Sequence, residues 1–243
     1  MKNSAVTTLV PGQLTVYTYG GFAPVCYKNP AGQLIGLDVS FLTRFAESLG
    51  LSIVTKEERF DVLWKLPGVG LCDVAGAGIM KRKDRDVGPD ASWSKDYFQV
   101  DRSLLVQASE KKKFDDYKSL TGKKIVVTRG STADIDAQTR YPNCQPLLYV
   151  DEVAKGQADA QDYIVRELVA KNKDYAFGEG DVSNKYLRDR YGSLVSGGLD
   201  LGDVHPIAGA KETFNFITRN ASTGVLERLN KFIKDNIDRY AFQ

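Results

Sequence analysis

An arginine closes one run of this chain in a way that suits anion recognition. Gly76-Ala77-Gly78-Ile79-Met80-Lys81-Arg82-Lys83-Asp84-Arg85 carries on from an apolar, strand-like stretch. The glycines near the end of that strand let backbone come close to a small molecule. A planar guanidinium such as that of Arg85 can donate two parallel hydrogen bonds to a carboxylate. A second anion-receptive spot is Gly130-Ser131-Thr132, where a strand gives way to a helix with backbone N–H groups and a hydroxyl cap. Gly178-Glu179-Gly180-Asp181 supplies acids. These residue types support capture of a small charged molecule, whereas the parts needed to transform one are missing. The single histidine, His205, precedes Pro206 and reads as a loop residue. There is no nucleophile elbow and no Ser-His-acid set. Cys26, Cys72 and Cys144 form no C-x-x-C pair and no zinc spacing, so they read as small buried or half-buried residues with at most one bridge among them. No metal and no cofactor is expected.

The elements that must position these residues follow an α/β pattern. Leu14–Thr18 reads as a first strand, broken by Gly20-Gly21 and Pro24. Asp38 precedes a helical stripe of Phe41, Leu42, Phe45 and Leu49, stopped by Gly50. A second strand spans Leu51–Thr55, a short helix Asp61–Leu66, and further strands Val74–Ile79 and Ser103–Gln107. The lysine-rich stretch that follows, with Lys111-Lys112-Lys113 read as a solvated loop, marks a first crossing between lobes. Beyond it come a strand at Ile125–Thr128, a mostly helical Asp151–Val169, a short strand at Tyr175–Phe177 and a helix through Tyr186 and Leu187. A loop from Ser196 to about Pro206 is the second crossing, before a strand at Phe214–Thr218 and a helical stripe Val225, Leu226, Leu229, Phe232, Ile233, Ile237. The domain reading is residues 1–106 with 206–243 as a first lobe and 107–205 as a second. A cleft between two α/β lobes is a frequent place for a small ligand.

Bulk properties agree with such a module. A chain of 243 residues with 42% hydrophobic residues can build a core, and a net charge of +2 argues against nucleic acid as a partner. No apolar run approaches ~18 residues, so no transmembrane helix is expected. Met1–Val10 carries no apolar segment of the secretory type after a basic start.

Gly21-Phe22-Ala23-Pro24-Val25, then Gly32-Gln33-Leu34-Ile35-Gly36-Leu37-Asp38, Phe60-Asp61-Val62-Leu63, the run ending in Arg85, and Arg129-Gly130-Ser131-Thr132 together resemble the extracytoplasmic solute-binding proteins of family 3, which serve polar amino-acid uptake. The resemblance implies two Rossmann-like α/β lobes joined by two crossing strands, the type II periplasmic binding fold that closes like a flytrap. It implies a periplasmic or extracytoplasmic location, a cleaved signal peptide, a small amino acid or related carboxylate as ligand, and an ABC-type membrane permease as partner. The expected assembly is a monomer. By the same resemblance Arg85 clamps the ligand carboxylate, Phe22 and Phe60 face the ligand side chain, and Gly78 and Met80 fall where relatives supply backbone and hydroxyl contacts. Met80 departs from the hydroxyl residue of that pattern. Ser131 and Thr132 form the second-lobe anion grip, and Glu179 takes the ligand ammonium, with Asp181 as the competing acid. Tyr19 falls where binders of basic amino acids often carry an acid, which disfavours a basic ligand unless Glu58, Asp61 or another acid substitutes, and Tyr19 itself is placed to hydrogen-bond a polar ligand tip. The scaffold also resembles receptor sensor domains and cyclohexadienyl dehydratases. In the dehydratases a general acid lies three residues past the ammonium-binding position, which is Val182 here.

Overall fold

The computed structural model describes residues 6–116, 118, 120–140, 147–207 and 209–240. They form two compact units, Met1–Gln99 with Thr213–Gln243, and Val100–Glu212. The chain changes unit inside strands rather than in loops: Phe98–Gln107 starts in the first unit and ends in the second, and Lys211–Arg219 makes the return. The expected crossings, at 106/107 and 205/206, each lie seven residues inside the second unit, whose bounds are at 99/100 and 212/213.

In chain order the first unit contributes β1 (Gln13–Thr18), β2 (Gly21–Phe22), β3 (Cys26–Lys28), β4 (Leu34–Ile35), α1 (Leu37–Ser48), β5 (Ser52–Glu57), a 3-10 helix Phe60–Lys65, β6 (Val74–Met80) and β7 (Ala91–Trp93). The second holds most of β8 (Phe98–Gln107), then α2 (Lys111–Phe114), β9 (Lys124–Val127), α3 (Thr132–Thr139), β10 (Leu148–Tyr149), α4 (Val150–Val153), α5 (Ala160–Tyr163), β11 (Tyr175–Gly180), α6 (Asp181–Gly192) and β12 (Leu201–Val204). Strand β13 (Lys211–Arg219) and helix α7 (Val225–Asn236) complete the first unit.

In the first unit β5, β1 and β6 run parallel, β13 is antiparallel to β6, and β7 is antiparallel to β13. A parallel sheet is covered on both faces, which is why β6 is buried along nearly its whole length. Helix α1 buries the predicted stripe Phe41, Leu42 and Phe45, and Gly50 ends it in a left-handed turn with φ 70. Phe41 stacks on Phe216 at 6.0 Å, and Tyr97 lies on Phe216 at 4.1 Å with the rings only 5° apart.

In the second unit β10, β9 and β11 are parallel, and β8 is antiparallel to both β11 and β12. Alternation along the strands divides the apolar residues between two cores. Leu104, Val106, Ile125 and Val127 pack on one side, and Leu105 and Val126 on the other.

Three expectations need correction. The Ser196–Pro206 segment contains strand β12, whose Gly202 and Asp203 hide it from a propensity reading while pairing to β8 imposes it. Asp151–Val169 is mostly helical, as expected, in two pieces: α4, and α5 continuing directly into a π-helical stretch Ile164–Val169, with the break between them around Gly156 at φ 80. Lys111–Lys113 lie in the one-turn helix α2, although all three are exposed as expected. The strand at Tyr175 runs on to Gly180 and so includes Glu179. Cys26 and Cys72 are buried, as expected, and Cys144 lies outside the described residues. Among the described residues no helix is long and apolar enough to cross a membrane.

Candidate ligand-binding residues

In the first unit the candidate residues gather at the end of β6. The ladder between β6 and β13 is irregular there, with Ile79 opposite Asn215 but Ala75 opposite Ile217. The extra backbone of Gly76–Gly78 passes around Phe216. A Cβ on Gly76 would lie 2.5 Å from that ring, and one on Gly78 would lie 2.7 Å from Phe22 and 3.1 Å from Phe214. Gly78 sits at φ 61, a left-handed conformation that glycine adopts without penalty. Its N–H donates to Asp38 Oδ2 at 2.9 Å, so the group it has left to offer a ligand is its carbonyl.

Arg85 is 3% exposed, which removes the alternative that it is an ordinary surface arginine. Its Nη1 donates to the Met80 carbonyl at 2.8 Å. Its guanidinium carbon lies 5.4 Å from the centre of the Phe60 ring and 5.2 Å from that of Trp64. Cation–π contacts of this kind hold the plane of a guanidinium. The adjacent acid, Asp84, is engaged with Arg82. Met80 thus contributes a backbone oxygen that orients Arg85, in place of the hydroxyl expected from the motif.

Phe22 and Phe60 are each 7% exposed, so little of either ring is left uncovered. Phe22 meets Phe214 edge-on at 6.0 Å, and Phe60 meets half-buried Tyr19 edge-on at 6.0 Å. Neither suggested substitute for an acid at Tyr19 is idle. Asp61 pairs with Arg59 at 2.6 Å, and Glu58 accepts from the Arg59 N–H at 2.8 Å.

In the second unit the candidate residues form a buried, acid-rich network. Ser131 caps α3 by accepting from the Asp134 N–H at 3.1 Å, and the Gly130 N–H donates to Asp134 Oδ2 at 2.8 Å. The Thr132 hydroxyl donates to Glu212 Oε1 at 2.6 Å, and the Thr128 hydroxyl donates to Glu179 Oε1 at 3.0 Å. Arg102 is the cation of this network, bonded to Asp136 at 2.7 Å and 3.5 Å from Glu212. Burial pushes the Glu179 carboxyl up to about 8; the hydroxyl of Thr128 pulls it down, and the charge of Glu212 adds to the rise. The competing acid is committed elsewhere, since Asp181 accepts from the Asp101 N–H at 2.9 Å and pairs with Lys185 at 2.5 Å.

Residues 14–240 match the bacterial extracellular solute-binding proteins, family 3. The chain belongs to that family. A probable histidine-binding protein of Neisseria gonorrhoeae is 24% identical over 77% of the chain and 67% of its own length. A cyclohexadienyl dehydratase of Pseudomonas aeruginosa is 26% identical over 60% of the chain, and the match spans 54% of that enzyme. Among solved structures, an amino-acid ABC transporter substrate-binding protein of Streptococcus pneumoniae bound to L-arginine superposes with a TM-score of 0.75. It is 21% identical, with 96% of this chain and 91% of that one covered. The fold is therefore the type II periplasmic one expected, and the family includes enzymes as well as binding proteins.

For a family 3 protein, two parts of these networks escaped sequence reasoning. Trp64 follows Phe60 by four residues in one helical turn, a spacing that signals two rings on neighbouring positions. Glu212 carried no such signal, since Lys211-Glu212-Thr213 reads as the exposed start of a strand, yet Glu212 is buried against Thr132.

Proposed function

We propose that this family 3 protein is an extracytoplasmic receptor that captures an amino acid, or a closely related small carboxylate, for delivery to an ABC-type permease. Arg85 takes the carboxylate, and Glu179 takes the ammonium group. The observation that carries this reading is Arg85, buried and oriented by the Met80 carbonyl and two aromatic faces at the end of a glycine-bearing strand. A guanidinium fixed in this way is preorganised for a planar, doubly hydrogen-bonded anion. A guanidinium and a carboxyl in these two roles make a zwitterion the ligand, because opposite charges on a protein discriminate amino acids from simple acids or amines.

The test begins with protein unfolded and refolded to remove any carried-over ligand, followed by a thermal-shift screen of amino acids. Saturation about 1,000-fold above Kd adds about 4 kcal/mol, raising Tm by roughly 8 to 16 °C. Arg85→Ala should then weaken binding of the hit by about 3 kcal/mol, more than a hundredfold, with the melting curve of the free protein retained. Unchanged affinity in that variant would remove Arg85 from the site.

One observation favours a second reading. Glu179 is held protonated at neutral pH, and loss of water from a cyclic acid needs a proton donor at the departing hydroxyl. The position at which the dehydratase resemblance expects the acid, Val182, cannot donate. Loss of prephenate on incubation with the protein, abolished by Glu179→Gln, would establish this second reading over the first.

A further inference from the structure

We propose that Asp38, braced by Tyr97 and Tyr240, is the positioning residue that fixes the Arg85 guanidinium through Gly78 and Met80, so that the ligand clamp is assembled from the buried side of its unit. The proposal rests on the reading of Arg85 given above and deepens it by naming what holds the clamp in place.

Asp38 lies in the first turn of α1 and is wholly buried. Its Oδ1 accepts from the Tyr240 hydroxyl at 2.6 Å, Oδ2 accepts from the Gly78 N–H at 2.9 Å, and the single Tyr97 hydroxyl hydrogen is shared between the two oxygens at 2.7 and 2.8 Å. Burying a carboxylate is costly even when it is fully bonded, and an apolar side chain of similar volume generally serves packing better. What the carboxylate supplies that an apolar group would not is an acceptor for Gly78. That N–H lies at the irregular stretch of β6, where the regular ladder with β13 is interrupted. Asp38 thus stands in for the missing strand partner. The segment it pins runs directly into Met80, whose carbonyl holds Arg85.

The two tyrosines come from different parts of the unit. Tyr97 precedes β8, and Tyr240 lies close to the C-terminus, 202 positions from Asp38 in sequence. Their rings meet at 5.1 Å, and Tyr97 is locked against Phe216, the side chain around which the glycine segment bends. A buried network in which every member is bonded is rigid, and rigidity one layer behind a binding group is what keeps that group in a productive pose.

Trp64 reads the pose of Arg85 directly, since the guanidinium lies over its ring. The chain has two tryptophans, and a Trp93→Phe background isolates Trp64. In that background the indole N–H resonance of Trp64 is compared in ligand-free protein for Asp38→Asn, Tyr240→Phe and Arg85→Ala. Calorimetry then gives Kd for the amino acid that the parent binds. The expected result is that Asp38→Asn and Tyr240→Phe shift the Trp64 resonance in the direction seen for Arg85→Ala, and that Asp38→Asn raises Kd about tenfold, in line with loss of one charge-assisted hydrogen bond. A merely structural role would lower Tm without moving that resonance. A Trp64 signal unmoved in Tyr240→Phe and Asp38→Asn, but moved in Arg85→Ala, would overturn the proposal. Should the Asn variant fail to fold, Tyr240→Phe, which keeps the carboxylate and loses one hydroxyl, decides alone. A parent protein that binds no amino acid would refute the ligand reading only, because the resonance comparison is made without ligand.

Discussion

Glu179 should make ligand affinity strongly dependent on pH across the neutral range, well above the pH at which an ordinary carboxylate site responds. Its carboxyl sits at about 8 in the free protein because burial and the Glu212 charge disfavour ionisation. A ligand ammonium needs the ionised form, so binding must expel the proton. At pH 7 the gap of about one unit costs about 1.4 kcal/mol, or roughly tenfold in affinity. Each further unit of acidity costs another factor of about ten, so Kd should fall about fiftyfold from pH 6 to pH 8 and about twofold more above that before levelling off. Isothermal titration at pH 6, 7, 8 and 9 measures the profile. At pH 7 the apparent binding enthalpy should differ between phosphate and Tris by nearly one buffer ionisation enthalpy, since about one proton leaves per ligand bound. Glu179→Gln should flatten both effects and bind more weakly. The same group affects the free protein with the opposite slope. Its pKa is raised above the ordinary value of 4.5, so its contribution to folding stability is complete below 4.5 and declines as pH rises through about 8. A wild-type affinity that is flat from pH 6 to 9, with equal enthalpies in the two buffers, would refute the pairing of Glu179 with an ammonium group.

Two further predictions concern the supports of the candidate residues. Gly78→Ala places a Cβ 2.7 Å from Phe22 in a left-handed conformation. Strain and overlap together should cost about 2 to 4 kcal/mol in urea unfolding, and a loss under about 1 kcal/mol would mean the strand end can relax. Arg102→Met leaves Asp136 and Glu212 buried beside an apolar group. Because Arg140 also reaches Asp136 at 3.3 Å, the loss should sit near the lower limit for a broken buried pair, about 3 kcal/mol, which is a drop in Tm of roughly 6 to 12 °C. A melting curve unchanged by Arg102→Met would show that the network is solvated.

What the sequence disclosed and what it concealed divide along the range of the interactions. Helix α1, its apolar stripe and its end at Gly50 are local features, and a period of 3.6 with a glycine stop is enough to read them. The Ser131 cap is equally local, since donor and acceptor lie three residues apart. Arg85 stood out because glycines and an arginine at fixed spacing form a recognisable motif. Asp38 was legible as a residue near a helix start but not as the acceptor for Gly78 and Tyr240, which lie 40 and 202 positions away. Nothing in a sequence marks such distant partners. The burial of Glu212 escaped for the same reason, because the burial of a strand's first residues depends on what packs over them, here Thr132 and Arg102. Strand β12 was concealed because a glycine and an aspartate in four residues outweigh two apolar ones on any local scale, while pairing along β8 decides the outcome.

The hydroxyl hydrogens of the second unit carry the argument one step further. Thr132 was expected to help grip a ligand carboxylate, but its hydroxyl donates to Glu212, and that of Thr128 donates to Glu179. A hydroxyl has one hydrogen to give, so neither can also donate to a ligand anion while those bonds last. Asp134 similarly takes the Gly130 N–H, and the Ser131 oxygen accepts from Asp134. The Gly130 N–H and the Thr132 hydroxyl hydrogen are thus answered by the protein's own acids. Within the second unit Arg102 is balanced by Asp136 and Glu212, and Glu179 is a neutral acid at pH 7 in the ligand-free protein. On the proposed reading, in which Arg85 takes the carboxylate and Glu179 the ammonium, the ligand carries one charge of each sign. A dicarboxylic acid lacking an amine should therefore bind far more weakly than the amino acid of the same skeleton, and the gap should widen as the pH rises through about 8, because Glu179 then ionises in the free protein and repels the second carboxylate.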